Sequence, residues 1–193
     1  MVIEALDAAH VPYLLGGALA GAVWGEPRST LDVDLVIALR PEQIPALSAE
    51  LEQRDILIPA DIMQTQLEER RGDLAIVGYH LSTGFKAELF PLREGDALRA
   101  SALARRELVE LDPPLERVYV HTPEDLILYK LQYFDLSAQT KHTRDIVGIL
   151  LARGPTLDYA YLAKWAGQLG LQQTWRHMVG EARRVGAQIP PEE

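Results

Sequence analysis

The sequence predicts an α+β fold, in which a mixed β-sheet core with helices is followed by a C-terminal helical part. In the first half of the chain, short apolar segments typical of strands alternate with segments of helical character. From Thr122 onward, every remaining segment has helical character. The chain is therefore expected to divide into an α/β core at residues 1–121 and a helical region at residues 122–193.

Proline, glycine and the hydrophobic period set the boundaries of the predicted core elements, because proline interrupts helices and glycine tolerates turns. The predicted helices are residues 2–10, 18–24, 41–54, 62–69 and 96–107. The predicted strands are residues 13–15, 32–38, 56–58, 74–81 and 85–90, with residues 117–120 as a last strand or an extended linker.

Two of these strands matter most for function. The strand at residues 32–38 contains a continuous apolar run, which is typical of a strand in the middle of a sheet. Ser82-Thr83-Gly84 separates the strands at 74–81 and 85–90 and predicts a hairpin, with glycine available for positive φ. This hairpin puts Glu88 on a strand that can lie beside residues 32–38.

The helical region opens with a strong start signal. Thr122-Pro123-Glu124-Asp125 offers a hydroxyl N-cap, proline at the first helical position and acids in the first turn. This helix is predicted to continue to residue 134, and a second one covers residues 141–152. We expect Thr156 to cap a third helix, and residues 172–186 to form a fourth.

Composition limits the classes of function. The chain has 193 residues and a net charge of −9, which counts against a long nucleic-acid duplex as substrate. It lacks cysteine, so disulfides and thiolate zinc sites are excluded, and the histidines show no zinc-ligand spacing. No apolar run is long enough to span a membrane, and no targeting signal opens the sequence. The expected location is the cytoplasm.

Two aspartates open the strand at residues 32–38. Asp32 and Asp34 are two residues apart, so their side chains share one face, about 7 Å apart at the backbone. Two such carboxylates repel each other and require a cation between them. Oxygen ligands of this kind suit Mg²⁺, which commonly accompanies nucleotide phosphates. Upstream, Gly16 and Gly17 allow backbone N–H groups to approach phosphates closely.

These residues resemble the Gly-Gly/Ser…Asp-x-Asp signature of the polymerase-β-like nucleotidyltransferase superfamily. The residues that carry the resemblance are Gly16, Gly17, Ser29, Asp32 and Asp34. The pattern Arg28-x-Thr30-x-Asp32-x-Asp34 is similar to the small bacterial AbiEii-like branch. The resemblance implies transfer of a nucleoside monophosphate from an NTP such as ATP to a hydroxyl, with Mg²⁺ or Mn²⁺ held by three carboxylates.

The resemblance also implies a third carboxylate on a later strand, in a Lys-x-Asp-apolar context. The stretch Phe85-Lys86-Ala87-Glu88 fits this position, with glutamate one methylene longer than the usual aspartate. Two later segments are similar to motifs of the same proteins, one at residues 123–130 and one at residues 141–146.

Site roles follow from the resemblance. It implies that Asp32, Asp34 and Glu88 are catalytic and hold the metal. It implies nucleotide binding by Gly16, Gly17, Arg28, Ser29, Thr30, Lys130 and Lys141. Ser29 and Thr30 have local backbone hydrogen bonding as an alternative role. For Lys130 the alternative is a buried stem with an ammonium that reaches the surface, and Arg28 pairs with either the acids or a phosphate.

Two rival functions compete with this interpretation. A dinucleotide-binding fold is rejected, because that fold places its acid at the far end of the second strand, whereas Asp32 and Asp34 open theirs. The second rival is a non-catalytic binding or regulatory protein of the same fold, for example one member of a toxin–antitoxin pair. The expected partners are an NTP and an acceptor that is a small molecule, an RNA end or a protein hydroxyl, with no membrane.

Overall fold

The protein is described by a computed structural model over residues 1–69, 74–112 and 116–190. It packs as two compact units. The first contains Met1–Gly17 and Ser29–Val120, and the second contains Ala18–Arg28 and the chain from His121 onward. The division of the chain at residue 121 into two domains stays a prediction.

The described part of the first unit contains one mixed sheet, which confirms the α+β class. Its strands are β1 Tyr13–Leu15, β2 Asp32–Ile37, β3 Ile56–Leu57, β4 Ile76–His80, β5 Lys86–Pro91, β6 Glu107–Glu110 and β7 Arg117–Val120. They lie in the order β3-β4-β5-β2-β1-β7-β6. The pairs β2–β5 and β1–β7 are parallel, and the other pairs are antiparallel.

Strand β2 is central, as predicted. It pairs with β1 on one side and β5 on the other, and its apolar half, Leu35 to Ile37, is buried. Its pairing with β1 is antiparallel. A dinucleotide-binding βαβ unit requires parallel strands at this point, so the topology agrees with the rejection of that fold.

The hairpin before Glu88 is also present. Its strands, β4 and β5, pair antiparallel, and Gly84 in the turn has φ +72°. The backbone N–H of Gly84 donates to the carbonyl of His80 over 2.8 Å. Glycine is suited to this position because a side chain disfavours positive φ. The turn is longer than predicted and shortens both strands at this end.

The described helices are α1 Val2–Ala8, α2 Gly17–Trp24, α3 Ile44–Glu52, α4 Ala60–Glu68, α5 Ala97–Arg105, α6 Pro123–Ser137, α7 Thr140–Arg153, α8 Tyr159–Gln168 and α9 Gln172–Arg184. Helix α1 ends two residues earlier than predicted, and His10 has φ +53°. A 3₁₀ turn at Pro41–Gln43 replaces the start of the helix predicted from residue 41. In the described part of the chain, no helix combines the length and the apolar character that a membrane span needs.

Two further boundary predictions are wrong. Glu107 does not extend the helix at 96–107 but begins β6, an antiparallel partner of β7. Backbone pairing with β7, the next strand along the chain, overrides the local helical pattern here. Thr156 does not cap α8: its hydroxyl donates to the carbonyl of Arg153 over 2.9 Å. The cap is Asp158, whose carboxylate accepts from the N–H of Tyr161 over 2.9 Å.

The predicted start of α6 is confirmed, and it does more than cap a helix. The Thr122 hydroxyl oxygen accepts from the N–H of Asp125, while the hydroxyl itself donates to the Asp125 carboxylate over 2.9 Å. The second oxygen of this fully buried carboxylate accepts from the hydroxyl of Tyr161 over 2.6 Å. Glu124 accepts from the N–H of Asp158 over 3.0 Å. Both acids of the motif therefore fasten α8 to α6.

Candidate active site

Four charged side chains share one face of β2 and β5. The parallel register places Asp32 opposite Lys86 and Asp34 opposite Glu88. Each strand contributes residues two positions apart, so all four point the same way. The structure therefore places on one face of the sheet the three carboxylates to which the resemblance gives catalytic roles.

Lys86 lies between two of these carboxylates. Its Nζ is 3.3 Å from Oδ1 of Asp32 and 3.2 Å from Oε1 of Glu88. The hydrogen bond with Glu88 is the main cause that raises the pKa of Lys86, and Asp32 adds to it. The sequence pattern alone assigns Lys86 no role. Its position two residues before Glu88, on the same face of the strand, was the signal that could have found it.

The glycine pair leaves β1 beside Asp34. The N–H of Gly16 donates to the Asp34 carbonyl over 2.8 Å, and Gly17 has φ +57°. A Cβ added to Gly17 would lie 1.7 Å from Oδ2 of Asp34, far inside van der Waals contact. Position 17 therefore requires glycine for two reasons: the backbone has positive φ, and a side chain would overlap the Asp34 carboxylate.

Asp32, Asp34 and Glu88 are suitable ligands for a divalent cation. All three are carboxylates on one face, and carboxylate oxygens are the ligands that Mg²⁺ and Mn²⁺ prefer. Across residues 1–69, 74–112 and 116–190, no three acidic or imidazole side chains are close enough together to share a metal ion. Two of the three carboxylates contact the Lys86 ammonium. The donor set fits the metal, but its present arrangement is organised around a lysine.

The two hydroxyl residues before β2 differ in their surroundings. Oγ1 of Thr30 accepts from the N–H of Asp32 over 3.1 Å, so this hydroxyl supports the start of β2. Ser29 is exposed in the preceding loop. The local role considered for Thr30 is therefore present. Nucleotide binding by either residue stays a prediction.

The three predicted basic residues belong to the second unit. Nζ of Lys130 is 2.7 Å from Oδ2 of Asp145, and Nε of Arg28 is 3.5 Å from Oδ1 of the same carboxylate. Lys141 is exposed in the first turn of α7. Asp145 lies in the segment 141–146 that carries part of the resemblance, but the resemblance implies no role for it. Asp145 is the partner that joins Lys130 and Arg28.

Lys130→Met should destabilise the protein even without nucleotide. The Lys130 and Asp145 side chains are only 6% and 9% exposed, and removing one partner of a buried ion pair costs about 3 kcal/mol. Urea denaturation in the absence of NTP would measure the change, with Lys141→Met on the exposed start of α7 as control. An unchanged free energy of unfolding for Lys130→Met would contradict this structural role and favour a role in phosphate binding alone.

Comparison with known proteins identifies the fold. No family model matches the chain, and no curated protein matches its sequence. The solution structure of the antibiotic-resistance factor ANT(2'')-Ia is similar over 91% of this chain and 93% of that chain, at 17% identity and a TM-score of 0.57. The chain has the nucleotidyltransferase fold.

Two crystal structures agree with this assignment. One is ANT(2'')-Ia in complex with adenylyl-2''-tobramycin, similar over 90% of this chain and 94% of that chain, at 15% identity and a TM-score of 0.55. The other is an antigenic nucleotidyltransferase-like protein from Paracoccidioides brasiliensis, similar over 98% of this chain and 92% of that chain, at 18% identity and a TM-score of 0.55. At these identities the likeness establishes the fold.

Proposed function

We propose that the protein is a metal-dependent nucleotidyltransferase that moves a nucleoside monophosphate from an NTP to a hydroxyl. The observation that carries this proposal is the register of β2 and β5, with Asp34 opposite Glu88 and Asp32 on the same face. The glycine pair beside Asp34 supports it. The nucleotidyltransferase fold supports it further.

The roles of the chain's own residues follow from their chemistry. Gly16 and Gly17 have no side chains, so their backbone can approach the triphosphate. Asp32, Asp34 and Glu88 would hold Mg²⁺ or Mn²⁺. A cation held there would supply charge neutralisation at the phosphates and a lower pKa for the acceptor hydroxyl.

In the proposed reaction, the acceptor oxygen attacks the α-phosphorus of the NTP. A new oxygen–phosphorus bond forms, the bond between the α-phosphorus and the bridging oxygen breaks, and pyrophosphate leaves. The acceptor proton passes to solvent or to the Glu88 carboxylate as general base. Nucleotide contacts by Arg28, Lys130 and Lys141 remain part of the proposal.

The acceptor is a hydroxyl on a small molecule, an RNA end or a protein. ANT(2'')-Ia was crystallised in complex with adenylyl-2''-tobramycin, which illustrates the small-molecule case on this fold. Incubation of the protein with α-labelled NTPs and a cell extract, followed by size fractionation, would show which class takes up the label. Label that stays in the NTP in every fraction would contradict the proposal.

Glu88→Gln should lose nearly all transferase activity and keep most of its NTP affinity. Asp32 and Asp34 suffice to hold the cation that accompanies the nucleotide, whereas activation of the acceptor hydroxyl needs the third carboxylate. Glu88→Asp should also be impaired, because a catalytic group misplaced by about 1 Å loses on the order of a hundredfold in rate. Turnover and NTP affinity, measured in parallel, test both variants.

The control for this experiment is Glu107→Gln, which alters an exposed glutamate on β6 and should leave both quantities unchanged. If Glu88→Gln turned over the identified acceptor at the parental rate, the catalytic role of Glu88 would be contradicted. If the parent consumed no NTP and Glu88→Asp gained activity, the second candidate function would be favoured.

That second candidate is a non-catalytic binding or regulatory protein of the same fold, such as a toxin–antitoxin partner. One observation favours it: the carboxylate that should ligate metal is a glutamate already in contact with Lys86. Membership of the AbiEii-like branch and a cytoplasmic location both stay predictions.

A further inference from the structure

Lys86 brings a positive charge into a group of carboxylates that the proposed function assigns to a metal. Its ammonium is 3.3 Å from Asp32 on the neighbouring strand and 3.2 Å from Glu88 on its own strand. The Lys86 side chain is 27% exposed, so it is neither fixed in a core nor free in solvent. The proposed metal site does not account for a lysine in this position.

The ammonium and a divalent cation compete for the same oxygens. A cation shared by Asp32 and Glu88 would lie about 2.1 Å from its ligands and strongly repel a positive group in contact with the same atoms. The register places Lys86 directly opposite Asp32, so the ammonium cannot leave the carboxylates through a shift of the paired backbone. The side chain has to rotate out when the metal enters.

We propose that Lys86 is the resident counter-cation of the Asp32–Glu88 pair and is displaced when a divalent cation engages Glu88. The proposal rests on the metal ligands of the proposed function. In the metal-free protein, Lys86 relieves repulsion among the carboxylates. It also weakens divalent-cation binding, because each binding event has to break its two ion pairs.

Lys86→Met should therefore bind Mn²⁺ more tightly than the parent, on the order of tenfold, since it removes a competing charge next to the site. Free Mn²⁺ can be followed by electron paramagnetic resonance during titration without nucleotide. Lys86→Arg keeps the charge and should stay close to the parent. Lys164→Met, on the exposed side of α8, is the control for loss of a lysine elsewhere and should match the parent.

The outcomes separate this proposal from the function on which it rests. Equal Mn²⁺ affinity of Lys86→Met and parent, with binding lost in Asp32→Asn/Asp34→Asn, would overturn displacement and leave the metal site standing. No Mn²⁺ binding by the parent or by Lys86→Met would overturn both. If Lys86→Met does not fold, Lys86→Gln removes the same charge with a polar side chain and gives the same test.

Discussion

Asp32→Asn combined with Asp34→Asn should abolish the rise in melting temperature that Mg²⁺ and NTP together give the parent protein. A ligand that binds only the folded state stabilises by mass action, about 2.7 kcal/mol at a hundred times its Kd. Asparagine keeps the shape of aspartate but offers the cation no charge. The fold should persist, because Asp32 and Asp34 lie in the half-buried start of β2 and its buried apolar half is unchanged.

Thermal denaturation with and without Mg²⁺ and NTP measures this effect, and transferase activity should disappear with it. Asp61→Asn, which alters an exposed aspartate in the first turn of α4, serves as the control and should respond like the parent. A double variant that still responds fully to metal and nucleotide would show that the site lies elsewhere.

Gly17→Ala should also have a large effect, because the new methyl group has no room. It would lie 1.7 Å from the Asp34 carboxylate, so either the backbone at Gly17 or the Asp34 side chain has to move. Positive φ adds about 1–3 kcal/mol of strain for a residue with a side chain. We expect lower stability and loss of the thermal response to Mg²⁺ and NTP.

Gly84→Ala is the matched control for this substitution. Gly84 has φ +72°, but a Cβ there would meet no atom within 4 Å. It should therefore lose stability through strain alone and keep the full thermal response. Equal behaviour of the two variants would mean that contact with Asp34 has no part in the function.

The parts of the fold predicted correctly from sequence are those that local pattern determines. The continuous apolar run of β2 predicts a central strand, and β2 lies between β1 and β5. Gly84 indicated the hairpin turn, and its φ is positive as expected. Thr122 indicated the start of α6, and its side chain makes the cap.

The parts missed depend on pairing and packing between elements. Strand β6 is the antiparallel partner of β7, and the helical pattern that reaches residue 107 conceals where it begins. The contact between Lys86 and Asp32 depends on the register of β2 with β5. The sequence shows Asp145 only as part of a motif, and its role as partner of Lys130 depends on the packing of α6 against α7.

The most direct test of nucleotidyl transfer compares two labels on the same NTP. The protein is incubated with its acceptor and with NTP labelled at the α- or the γ-phosphorus. Nucleotidyl transfer predicts that the α-label joins the acceptor while the γ-label leaves in pyrophosphate, and that Asp32→Asn/Asp34→Asn does neither. Transfer of the γ-label to the acceptor, or α-label transfer that survives in this double variant, would contradict the proposed function.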